Sequence, residues 1–181
     1  MIEMKVAGIA LDAVNRTPIV LLKDTTERRA LPIYIGQDQA RAILNALDNQ
    51  VVPRPLTHDL MTNLLDTWEM NLERVIIHSL QDSTFFAILS LSIGEIKKEL
   101  DARPSDAIAL ALRTNSPIWV MEEVIADASI PVDYEADEAE RREFREFLAK
   151  LRPEDFGDEK HPHRQTQSFE DGAGESTKES G

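Results

Sequence analysis

Met4 to Leu11 (MKVAGIAL) and Ile19 to Leu22 (IVLL) are short apolar runs of strand type, joined by the turn-forming stretch Asn15-Arg16-Thr17-Pro18. A third run, Leu31 to Ile35 (LPIYI), stops at Gly36, so the chain opens as an antiparallel meander. From Gln37 to Asn49 the period changes, with Ala40, Ile43, Leu44 and Leu47 at helical spacing. Val51-Val52-Pro53 ends that helix. A second helix is expected from about His58 to Met70, and its stripe of Leu60, Met61, Leu64, Leu65 and Trp68 is expected to be buried.

Two strands follow, Leu72 to Leu80 and Thr84 to Ile93, around Gln81-Asp82-Ser83. In the second strand Phe85, Ala87, Leu89 and Leu91 share an apolar face that belongs in the core. Glu95 to Leu100 is a short third strand of this unit. A helix with Ile108, Ala109, Leu110 and Leu112 apolar comes next, and Pro117 to Val120 (PIWV) reads as the last strand, ending at Glu122-Glu123. The order implies an α+β domain over residues 1–133, with an antiparallel-rich mixed β-sheet and about three packed helices. Residues 134–160 form a charged extension in which Phe144, Phe147, Leu148 and Leu151 mark one side of an amphipathic helix. Residues 161–181, rich in Gly, Ser, Thr and Glu, read as a disordered acidic tail.

The chain has 181 residues, no cysteine and a formal net charge of -13. Without cysteine there are no disulfides, thiolate metal sites or cysteine nucleophiles, which fits a reducing compartment. No signal-like segment or membrane-spanning apolar run is present, so a cytoplasmic protein is expected. The acidic surplus is shared by the domain and the extension, and it counts against avid binding to a phosphate backbone.

Polar chemistry concentrates in two related stretches, Arg54-Pro55-Leu56-Thr57-His58-Asp59 and Asp101-Ala102-Arg103-Pro104-Ser105-Asp106. Proline keeps the residue before it out of the α region, so Arg54 and Arg103 should be extended. Thr57 and Ser105 are then the expected N-caps, with Asp59 and Asp106 in the first helical turns. Caps and ion pairs explain such residues without any catalysis. The same residues also supply arginines, carboxylates and a histidine near two helix N-termini.

Four phrases, LPIYIG (31–36), RPLTHDL (54–60), TFFAIL (84–89) and DARPSDAIALALR (101–113), resemble in order and spacing the bifunctional nuclease domain family of bacteria and plants. The phrase FREFLAKLRPEDF (144–156) resembles the C-terminal extension of bacterial members. The resemblance spans nearly all of residues 1–133. It implies an α/β arrangement of sheets and helices, hydrolysis of both DNA and RNA by some members, and a tendency to form homo-oligomers. It carries over the positions of Arg54, His58, Asp59, Asp101, Arg103, Ser105 and Asp106, and assigns no role to any of them.

The leading expectation is a metal-assisted phosphodiesterase acting on DNA and RNA with little sequence specificity. Asp59, Asp101 and Asp106 are the candidate ligands for Mg²⁺ or Mn²⁺, with Glu122 or Glu123 as further candidates. His58 is the candidate general base or acid, acting with Asp59 and Asp106, and Arg54 and Arg103 are the candidate phosphate clamps. His78 is a poor second base, and Arg28-Arg29 is more naturally a turn tip than a substrate contact. Two other readings stay open. One is a non-catalytic regulatory or scaffolding protein that binds a protein partner through its acidic C-terminal helix. The other is a small-anion sensor built on the same two helix starts.

Overall fold

A computed structural model describes residues 1–26 and 28–132. The expected helix of residues 134–160 and the tail of 161–181 lie outside the described residues. Eight strands form one mixed sheet: β1 (Ile2–Leu11), β2 (Pro18–Asp24), β3 (Arg29–Tyr34), β4 (Asn71–Gln81), β5 (Thr84–Ile93), β6 (Ile96–Ala102), β7 (Ile118–Val120) and β8 (Ile130–Pro131). Among the described residues four helices accompany them: α1 (Gln37–Leu47), α2 (Thr57–Thr67), α3 (Pro104–Thr114) and α4 (Glu122–Ala128). The fold is α+β, as the pattern predicts.

The strand order is β6-β5-β4-β7-β1-β2-β3-β8. Every neighbouring pair is antiparallel except β4 and β7, which are parallel. Since β7 lies antiparallel to β1 and parallel to β4, the meanders β1–β2–β3 and β4–β5–β6 spread from it in opposite senses. Each meander feeds a helix, α1 from the first and α3 from the second, and these helices pack on each other. The structural repeat is therefore meander plus helix. The Arg-Pro echo does not follow it, because Arg54-Pro55 leads into α2, an element between the two units.

One face of the sheet is a continuous apolar layer. Register places Val20 opposite Ile33, Leu22 opposite Leu31, Val75 opposite Leu89 and Ile118, and Ile77 opposite Ala87 and Val120. All are buried. A bulge in β1 between Val6 and Gly8 shifts the register of that strand by one residue. Gly8 sits at φ +151°, a conformation that side-chain-bearing residues rarely adopt.

Helix α3 is central. Its residues Ala107 to Ala111 are all buried, and the alternation of alanine with Ile108 and Leu110 lets neighbouring helices approach closely. Burying Ile108 or Leu110 contributes about 1.5–3 kcal/mol each. Helix α1 adds Ala40 and Ile43 to the same core.

Two expectations are corrected. Helix α2 has no buried residue: Leu60, Met61, Leu64 and Trp68 are exposed, and of its stripe only Leu65 packs against the core. Helix α3 already fills the space above the sheet, so α2 rides on α3 from outside. The chain also does not finish at PIWV. Glu122 and Glu123 form the first turn of α4, whose Val124 and Ile125 are buried, and β8 then pairs with β3. Seven helical residues give too short a period to stand out in the sequence. No helix among the described residues is long and apolar enough to cross a membrane.

Candidate active site

The β6–α3 junction follows from its sequence. Arg103 is extended, at φ −68° and ψ 140°, as a residue before proline must be. Pro104 opens α3 with φ already fixed for a helix, which puts Asp106 in the first turn. In α2 the residue before the helix is Leu56, at φ −78° and ψ 177°, and Asp59 lies in the first turn. The N-cap positions thus belong to Arg103 and Leu56. Thr57 falls one step and Ser105 two steps too late, neither makes a capping bond, and Ser105 is buried.

Asp106 is the meeting point of α2 and α3. Its Oδ1 lies 3.1 Å from His58 Nε2, and its Oδ2 accepts a 2.7 Å hydrogen bond from Arg103 Nε. The His58 side chain is only 12% exposed, whereas Arg103 is 70% exposed. A carboxylate held from both sides fixes the imidazole, leaving His58 Nδ1 without a partner among the described residues. The terminal nitrogens of Arg103 are likewise uncommitted.

These groups border a cleft of about 640 Å³. Asp38 and Arg41 of α1 line it, with Leu56 before α2, His58 and Met61 of α2, and Asp101 of β6. Asp101 is exposed, and its side chain makes no hydrogen bond or ion pair among the described residues. The cleft is therefore polar where the starts of α1, α2 and α3 converge, and apolar along Leu89, Leu100 and Leu110.

Asp59 turns the other way. Its Oδ1 accepts a 2.6 Å hydrogen bond from Arg113 Nε, and its Oδ2 accepts one of 2.8 Å from the Leu56 amide. Arg113 also donates to the carbonyls of Ala42 and Ala109, tying α1, α2 and α3 together. The Arg113 guanidinium, and then the Leu56 amide, hold the Asp59 carboxyl below its usual range despite partial burial. Asp59 and Arg113 line a separate pocket of about 230 Å³.

The remaining expected residues lie apart. Arg54 is exposed, makes no ion pair among the described residues and is not part of the cleft lining. Glu122 pairs with the N-terminal amine at 2.8 Å. His78 packs beside Phe86, with ring centroids 6.4 Å apart. The backbone amides of Arg28 and Arg29 bond to Asp24 at the β2–β3 turn.

Asp59, Asp101 and Asp106 do not converge. Both oxygens of Asp59 and both of Asp106 are engaged, and the described residues contain no group of three His, Cys, Asp or Glu placed to hold a metal ion. A three-ligand protein site is thus absent among the described residues, whereas a hydrated Mg²⁺ held with substrate phosphate needs only one or two carboxylates.

Three residues escaped the sequence reading: Arg113, Asp38 and Arg41. Arg113 carried a signal. It and Asp106 are the two charged residues of α3, seven positions apart and so on one face.

The family model of the bifunctional nuclease domain matches residues 20–133, a stretch that holds every residue of the His58–Asp106–Arg103 cluster. An uncharacterized protein of Mycobacterium tuberculosis (strain H37Rv) is 41% identical over 164 residues, covering 85% of this chain and 97% of its own. Bifunctional nuclease 1 of Oryza sativa subsp. japonica is 27% identical over 124 residues, covering 67% of this chain and 38% of its own. The family model covers well over half of the chain, so this chain belongs to the bifunctional nuclease domain family.

Proposed function

We propose that this protein is a nuclease that hydrolyses phosphodiester bonds of DNA and RNA with little sequence specificity, and that its working group is His58–Asp106–Arg103. The observation that carries the reading is the double engagement of Asp106, which orients a nearly buried imidazole beside an exposed guanidinium in a cleft. The plant relative's name supports the substrate class.

The roles follow from the geometry. With Nε2 donating to Asp106, His58 presents the lone pair of Nδ1 as a general base toward water. Asp106 fixes that tautomer and stabilises the imidazolium that forms, as a carboxylate does for histidine in hydrolytic triads. The terminal nitrogens of Arg103 bind phosphate oxygens and offset charge that builds on them in the transition state. The water oxygen bonds to phosphorus, its proton passes to His58, and the P–O bond to the leaving oxygen breaks. Solvent protonates the leaving oxygen. Nothing in this arrangement reads a base edge, which suits low sequence specificity.

The test is cleavage of single- and double-stranded DNA and RNA by the purified chain, with Mg²⁺, with Mn²⁺ and with EDTA. His58→Gln and Asp106→Asn, shown to be folded by circular dichroism, run beside it. Activity lost in both variants supports the assignment. Activity that persists in both, or a wild type inactive in every condition, overturns it. The EDTA arm decides separately whether a hydrated divalent ion enters with the substrate.

A further inference from the structure

Helices α1 and α2 both pack on α3, and Asp106, Leu110 and Arg113 share one face of α3. Asp106 and Leu110 line the His58 cleft, and Arg113 lines the smaller pocket of about 230 Å³. Asn45 of α1 lines both cavities, which makes them neighbouring parts of one groove. Asp106 and Arg113 are about 10 Å apart along the helix axis.

The second cavity has a chemistry of its own. Four primary amides border it, those of Asn45, Asn49, Gln50 and Asn115, and none of these side chains makes a hydrogen bond among the described residues. Asn49 and Asn115 stand at φ +49° and +53°, just past the ends of α1 and α3, where asparagine is tolerated. The backbone accounts for those two. It does not account for Gln50, nor for Asn45, which is half-buried inside α1 although asparagine is a weak helix former.

Arg113 completes the polar lining, with its side chain only 10% exposed. Its Nε donates to Asp59 and its Nη1 to the carbonyls of Ala42 and Ala109, while Nη2 has no partner among the described residues. The Asp59 carboxylate offsets its charge, so the pocket does not select an anion. Val52 and Leu112 add half-buried apolar surface.

A small flat ring with donors and acceptors on its edge fits this lining. The pocket falls below the roughly 300–1,000 Å³ of drug-sized sites, which leaves room for a single ring system. A primary amide presents a donor and an acceptor side by side, bonds in pairs to base edges, and can turn over to suit either polarity. Amides therefore suit any base, in keeping with low sequence specificity.

We infer that this pocket is a nucleobase subsite. While a phosphate lies between His58 and Arg103, the base of a neighbouring nucleotide rests on Val52 and Leu112 with its edge against Asn45 and Gln50. The inference rests on the cleft taking the phosphate, as proposed above, and adds what holds the strand in place. An unpaired strand offers its base edges at lower cost than a duplex, so single strands are the favoured ligand.

Fluorescence anisotropy tests this on the full chain carrying His58→Gln, which keeps the strand uncut. The probes are a single-stranded oligonucleotide and the same strand made abasic. The base-bearing strand should bind about 10-fold more tightly. Asn45→Leu should remove most of that difference and Gln50→Leu part of it, both leaving affinity for the abasic strand unchanged. Gln50 is exposed and lies outside the helices, so its substitution serves even where circular dichroism shows Asn45→Leu unfolded. Equal affinity for the two strands, or a preference that survives both substitutions, overturns the inference and leaves the cleft reading standing. No binding to either strand overturns the two together. Adenosine monophosphate that displaces the labelled strand as well as unlabelled strand does would make the pocket a free-nucleotide site, and the strand assignment falls.

Discussion

Asp59 and Arg113 are 54 positions apart in the chain and meet at 2.6 Å, with the arginine only 10% exposed. Their contact joins the first turn of α2 to the last turn of α3, and it accounts for Asp59 without catalysis. Asp59→Asn should destabilise the protein by about 1–3 kcal/mol, because it leaves a nearly buried guanidinium unpaired. Urea unfolding measures this. Nuclease activity per folded molecule should change little, in contrast to the cleft variants.

The same pair sets a pH dependence. Asp59 binds its proton less tightly folded than unfolded, because Arg113 and the Leu56 amide favour the carboxylate. Its contribution is therefore complete above the unfolded value of about 3.9 and is lost as pH falls through the lower folded value. The stability gap between wild type and Asp59→Asn should be constant from pH 7 to about pH 5 and close below about pH 4. A gap that widens on acidification would contradict this account.

His58 and Asp106 are expected to act as a unit. His58→Gln and Asp106→Asn should each lower kcat by roughly 10²–10⁴-fold. The double variant should fall little below the worse single one, since an unoriented imidazole is already a poor base. Additive losses in single-turnover assays would show two independent roles.

Arg103 is mostly exposed, so its loss should be felt in substrate binding more than in folding. Arg103→Ala should raise KM, reduce the salt slope of nucleic-acid affinity by about 1, and change stability by no more than about 0.5 kcal/mol. Affinity titrations at several salt concentrations provide the check.

Ser90 in β5 is buried, and its hydroxyl has no hydrogen-bond partner among the described residues. Ser90→Ala removes the cost of an unsatisfied polar group and should stabilise the fold by about 1 kcal/mol, raising Tm by about 3 °C. A lower melting temperature by calorimetry would show that the hydroxyl is bonded after all.

The sequence by itself determined the local elements. Strand runs, the change of period at Gln37, the Asp82-Ser83 turn (both residues at positive φ) and the Arg103-Pro104 helix start all emerged where residue types predict them. Local chemistry also brought His58, Arg103 and Asp106 to the starts of two helices. Tertiary structure decided which of these residues meet. Asp59 and His58 are neighbours in sequence, yet successive positions on a helix point about 100° apart. One side chain therefore reaches Arg113 while the other reaches Asp106. The same physics exposed α2: an amphipathic stripe shows that a helix has an apolar side, but not what that side faces. Here α3 had already taken the place above the sheet, and the stripe of α2 was left looking outward.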